Sequence, residues 1–81
     1  MGLNQLTIIA HNQLGILERI LRVIRHRGGR ITAINMQLRE SNIININIVL
    51  ESQRPIELLK KQLIKLVDVI NIDDEHYSNN H

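Results

Sequence analysis

Apolar and polar residues alternate with period two in some stretches of this chain and recur at helical spacing in others, and the switches divide it into six segments. Leu6, Ile8 and Ala10 alternate with Gln5, Thr7 and Ile9, which predicts a strand at about 5–10. From Asn12 to Gly29 the segment NQLGILERILRVIRHRGG repeats Leu17, Ile20, Leu21 and Ile24 at helical spacing, with Ile16 and Val23 flanking them. Asn12 is placed to cap that helix or to hydrogen-bond a ligand. Gly28-Gly29 supplies the left-handed residue that ends it. RITAINMQLRE and NIININIVLES then alternate as two strands. Thr32, Ile34, Met36 and Leu38 share one face of the first, and Ile44, Ile46, Ile48 and Leu50 one face of the second. Glu40-Ser41-Asn42 makes the turn between them. Pro55 opens a second helix in its first turn, with Ile56, Leu59, Leu63 and Leu66 on its buried side opposite Lys60, Lys61 and Lys65. VDVINI reads as the last strand, and DEHYSNNH as a frayed end.

The order β-α-β-β-α-β with right-handed crossovers gives an α+β, ferredoxin-like sandwich. It has a four-stranded antiparallel sheet with two helices on one face. The expected domain runs over 1–75, and 76–81 is expected to be a disordered tail. A chain of 81 residues buries only about 60% of its unfolded surface, so a partner or second copy would add stability. The edge strand near 30–39 and the helix-free face are where such a partner is expected.

Composition narrows the function classes. Ten Lys and Arg against eight Asp and Glu leave a formal charge of +2, too small for bulk electrostatics to dictate a nucleic-acid or membrane partner. Five of those ten lie between Arg19 and Arg30. Arg19, Arg22, Arg25 and His26 stand away from the apolar stripe, Glu18 is placed to pair with Arg22, and positive charge suits the last helical turn. That describes a solvated basic face or a docking surface for an acidic partner. Nucleic acid is disfavoured, because Tyr77 is the one aromatic residue and the central strands carry no base-stacking side chain. With no cysteine there is neither a disulfide framework nor a thiolate nucleophile, which suits the cytoplasm. No apolar run reaches membrane-spanning length. His11, His26, His76 and His81 lack the i, i+4 pairing of a helical metal site, and no catalytic constellation emerges. The loop Asn12, Gln13, Leu14, Gly15, Ile16 leads from strand to helix, where free backbone N–H groups and the helix dipole would receive an amino-acid carboxylate. Gly15 permits a close approach there, or simply a tight entry into the helix.

NQLGILERILRVIRHRGG, INMQL, NIININIVLES and QLIKLVDVINI together resemble the regulatory small subunits of acetolactate synthase (acetohydroxyacid synthase), most closely the short isozyme II type. The resemblance extends to about Ile72. It implies an ACT domain that pairs side by side through its edge strand and takes an amino acid at the pairing interface. It also implies a catalytic large subunit that uses thiamine diphosphate, magnesium and FAD to condense two pyruvates, or pyruvate with 2-oxobutyrate, none of these cofactors being held by this chain. Asn12 and Gly15 match the N-x-x-G of valine-sensitive relatives. Leu14 replaces a small residue, Gly29 replaces a bulky apolar one, and the chain carries a single ACT domain. The short branch responds poorly to valine, so activation of the large subunit in branched-chain amino-acid biosynthesis is the expected function, with at most a weak effector. Arg19, Arg22 and Arg25, and Met36 and Leu38 at the edge, are the candidate partner contacts. A stand-alone ACT-type amino-acid sensor with another protein partner is the alternative, followed by a small RNA-binding module.

Overall fold

A computed structural model describes residues 2–77. Strand β1 (Leu3–His11) leads to helix α1 (Ile16–His26), then β2 (Gly29–Arg39), a 3-10 turn at Glu40–Asn42, β3 (Ile43–Ser52), helix α2 (Ile56–Leu63) and β4 (Val69–Tyr77). All pairings are antiparallel and the strand order is β2-β3-β1-β4. This is the expected ferredoxin-like βαββαβ sandwich.

The central strands explain the architecture. Leu6, Ile8 and Ala10 of β1 lie opposite Ile48, Ile46 and Ile44 of β3, and all six are buried. They form one core with Ile16, Ile20 and Ile24 of α1 and with Leu59 and Leu63 of α2. The buried ridge of α1 thus runs at i, i+4, i+8 and is centred on Ile16. Leu17 and Val23 pack at its margin, while Leu21, expected in the stripe, is only half-buried on the flank. Gly28, at φ 84°, takes the left-handed conformation that ends the helix. Gly29 is needed for a different reason: a Cβ there would lie 2.6 Å from Ile24 Cγ2 and 3.1 Å from Leu50 Cδ1. The place of a bulky side chain is already taken by those two residues.

Three boundaries differ from the sequence expectation. β2 carries an extra residue: Ile31 pairs with Leu50 and Ala33 with Val49, leaving Thr32 in a bulge. Its hydroxyl donates to the Val49 carbonyl at 3.1 Å. Ile31, not Thr32, therefore shares the helix-side face with Ile34, Met36 and Leu38. Pro55 sits immediately before α2 rather than inside it, and Leu66 packs on the core from the turn after the helix. β4 continues through Tyr77, so Asp74–Tyr77 pair with β1 where a frayed end was expected. The rest of the expected tail, residues 78–81, lies outside the described residues.

Candidate functional site

The β1–α1 loop is fixed by its neighbours. The Asn12 amide donates to the Asn42 carbonyl at 2.9 Å, and Asn42 Nδ2 returns a bond to the Asn12 carbonyl at 3.3 Å. The His11 amide donates to the Asp68 carbonyl at 2.8 Å. Three chain segments thus meet at one end of the sheet. Asn12 does not cap α1, contrary to the simpler expectation, because the helix starts later. Gly15 is the N-cap at φ 81°, ψ 5°, with no side-chain cap bond. That left-handed turn costs a residue with a side chain about 1 kcal/mol or more, which accounts for glycine although open space surrounds its Cα.

The loop borders an open groove of about 340 Å³, lined by Asn12 through Glu18 together with Met36 and Ile44. All five residues singled out from the loop are brought together, and Met36 of the edge strand joins them. The amides of Leu14, Gly15, Leu17 and Glu18 find no acceptor among the described residues, and neither does the Asn12 side chain find a partner. An N-terminal helix turn with free donors favours a carboxylate, and Met36 and Ile44 offer apolar contact. Leu14 is 97% exposed at the loop tip, so its bulk stands at the rim rather than in the core. Ile44 was not singled out from sequence because its strand alternation marks it only as core, and it is 6% exposed.

The basic face of α1 divides in two. Arg19 is engaged: one terminal nitrogen donates to the Leu14 carbonyl at 3.2 Å and the other lies 3.7 Å from Asp68 Oδ2. It ties the loop to the α2–β4 connection. Arg22 and Arg25 are exposed and border a shallow groove with Glu18 and Leu21. The expected Glu18–Arg22 ion pair is not formed among the described residues. At the edge, Met36 is 42% and Leu38 67% exposed.

Elsewhere, Lys60 bridges Asp74 on β4 and lies 3.8 Å from Glu57. Its hydrogen bond to Asp74 holds its ammonium above the usual lysine pKa, against the opposing effect of burial. Among the described residues no group of three or more His, Asp or Glu is placed to hold a metal ion. No described helix is long and apolar enough to cross a membrane.

An antiparallel βαββαβ sheet with a ligand-sized groove at the first strand-to-helix loop defines a class, and the chain belongs to it: residues 12–72 match the ACT domain family. The more particular kinship is with acetolactate synthase small subunits. The chain is 40% identical over 70 residues to the acetolactate synthase isozyme 2 small subunit of Escherichia coli (strain K12), covering 85% of this chain and 80% of the relative. The Shigella flexneri isozyme 2 small subunit matches to the same extent. Among solved structures, the acetolactate synthase small subunit from Thermotoga maritima superposes with a TM-score of 0.80 at 22% identity, over 91% of this chain and 47% of that one. The ACT domain from GTP pyrophosphokinase of Chlorobium tepidum gives 0.77 at 18% identity, over 91% and 97%. At such identities the structures establish the fold alone. The reading of the chain as non-catalytic stands with its isozyme 2 relatives.

Proposed function

We propose that this chain is the regulatory subunit that binds, stabilises and activates the catalytic large subunit of a cytoplasmic acetolactate synthase serving valine, leucine and isoleucine biosynthesis. The observation that carries the reading is the 40% identity sustained over 80% of a small subunit's length. Thiamine diphosphate, magnesium and FAD belong to the partner on this reading. The small subunit's role is then to form the right surfaces. Two copies pair through β2, whose helix-side residues Ile34, Met36 and Leu38 are 39%, 42% and 67% exposed. Pairing continues the sheet and covers that row. Arg22 and Arg25, free of ion pairs among the described residues, remain for the large subunit, whereas Arg19 acts on the loop.

Reconstitution tests the function. Adding the purified chain to its catalytic subunit should raise acetolactate formation at least tenfold, and an unchanged rate at saturating chain would overturn the reading. The loop groove is a weak effector site: an amino-acid carboxylate would meet the free amides while its aliphatic side chain rests on Met36 and Ile44. Valine, leucine and isoleucine should bind no tighter than about millimolar, roughly 4 kcal/mol of standard free energy. Calorimetry giving a micromolar, saturable signal that Gly15→Asp abolishes would instead make the chain a feedback sensor.

A further inference from the structure

We propose that the cleft between the end of α1 and the start of α2 is a docking point for the catalytic subunit, taking one acidic side chain of that partner between Arg27 and Arg54. This rests on the reading above that a catalytic subunit is the partner, and adds where and by what chemistry it is held.

The cleft has a volume of about 100 Å³ and is lined by Arg27, Ser52, Arg54, Pro55 and Leu58 among others. Small-molecule sites occupy roughly 300–1,000 Å³. A space this size accepts one protruding side chain, which points to a protein rather than a free metabolite. The charge around it selects the kind of side chain. Arg27 and Arg54 are both exposed, and neither has a carboxylate partner among the described residues, in contrast to Arg19 and Lys60. Two arginines lining one small cleft suit a single Asp or Glu, because a guanidinium pairs with a carboxylate through charge and parallel N–H donors together.

The cleft is held in shape locally. Ser52 Oγ donates to the Arg54 carbonyl at 2.8 Å and accepts from the Arg54 amide at 3.2 Å, closing the turn that brings Arg54 back to the helices. Beside the charges, Leu58 is 50% exposed. A carboxylate flanked by an apolar neighbour would satisfy the arginines and cover Leu58 together, an apolar contact with a polar rim as in protein interfaces generally. Position supports the assignment as well. Ser52 ends β3, whose first residue lies at the loop groove's end of the sheet, so the two sites are separated by the length of the strand, about 30 Å. Docking here leaves the groove open. Sequence reading missed the cleft because Arg27 and Arg54 are far apart in the chain, and Arg54 sits in a turn with no pattern of its own.

The test measures affinity of the full chain for its purified catalytic subunit by surface plasmon resonance at two salt concentrations. Arg27→Glu and Arg54→Glu should each weaken binding at least tenfold with unchanged melting temperature, and Leu58→Ser several-fold. Lys65→Glu, an equal charge change on an exposed residue in the turn that follows α2, should leave affinity within about twofold. Arg27→Gln and Arg54→Gln, which remove charge without adding repulsion, should fall between wild type and the reversals. If the wild-type chain binds and both reversals bind equally well, the cleft is not the dock and the regulatory reading stands. Equal weakening by Lys65→Glu would show diffuse electrostatics and overturn the site. A wild-type chain that neither binds nor activates the catalytic subunit overturns the regulatory reading itself.

Discussion

The two free edges of this sheet are finished in opposite ways. β4 is closed on its helix side by α2, through the Lys60–Asp74 bridge and the nearly buried Ile72. Its exposed Asp73 and Glu75 flank Asp74, so three acids in succession would repel an identical edge. β2 has no such guard. From Thr32 to Arg39 every residue is exposed, and its helix side carries Ile34, Met36 and Leu38 in place of charges. Fully covering a side chain of this kind is worth about 1.5–3 kcal/mol relative to exposure, so even the part still exposed on three residues favours association. On the proposed pairing, the same physics that makes an edge strand hazardous leaves one edge open to a second copy and the other guarded by charge.

The strongest way to break that contrast is to move charge to β2. Met36→Lys combined with Leu38→Lys should raise the dimer dissociation constant at least a hundredfold in sedimentation velocity. The monomer's melting temperature should change little, since both side chains already face solvent. Ile70→Lys on β4, at a residue 46% exposed, should leave the dimer intact; loss of dimer there would mean that the wrong edge has been assigned. A second test concerns the one end of β2 that α1 does cover. Gly29→Ala must displace Ile24, whose Cγ2 lies 2.6 Å from the new Cβ and whose carbonyl oxygen lies 3.1 Å away. Overpacking of this kind costs about 2 kcal/mol, readable by urea titration; a neutral outcome would show that α1 shifts freely over the sheet.

The guard on β4 gives smaller effects. Lys60→Met should cost about 1 kcal/mol, as expected for a half-buried pair. Because the folded-state pKa of Lys60 is raised, its contribution is complete below the ordinary value of 10.5 and disappears as pH rises through the raised one. The wild type should therefore lose stability above pH 10.5 more steeply than Lys60→Met, and parallel alkaline limbs would refute the linkage. Smallest of all, Asp73→Thr with Glu75→Thr should let β4 self-associate weakly at high concentration in light scattering. If the dimer remains the largest species, shape rather than charge protects that edge.

Much of this was legible in the chain. Period two in LTIIA and NIININIVL specified the central strands down to which residues face the helices, because alternation against one buried face leaves no freedom of register. The loop residues Asn12–Ile16 were legible as the connection from strand to helix, since the apolar period changes there from two to helical. What escaped depended on contacts distant in sequence. Asn12 has a capping side chain, yet its backbone is claimed by Asn42. Arg19 follows the pattern of a solvated charge, yet reaches Leu14 and Asp68. Met36 was legible as an edge residue but not as a wall of the loop groove, because the groove is closed by chain segments that meet only in the fold.

Thr32 acts as a phase correction in an alternating signal. Upstream of it the odd residue Ile31 lies on the helix side; downstream the even residues Ile34, Met36 and Leu38 do. Pair the 11-residue strand regularly through Thr32 with the hairpin register kept, and Thr32 takes the place of Ile31 against Leu50 while the downstream row is untouched. Re-register the strand from its other end, and the edge presents Ala33, Asn35 and Gln37 where it now presents aliphatics. What the edge offers a neighbour is therefore encoded in parity as much as in residue identity, and the one extra residue at Thr32 is what lets both ends of the strand keep their aliphatics on the helix side.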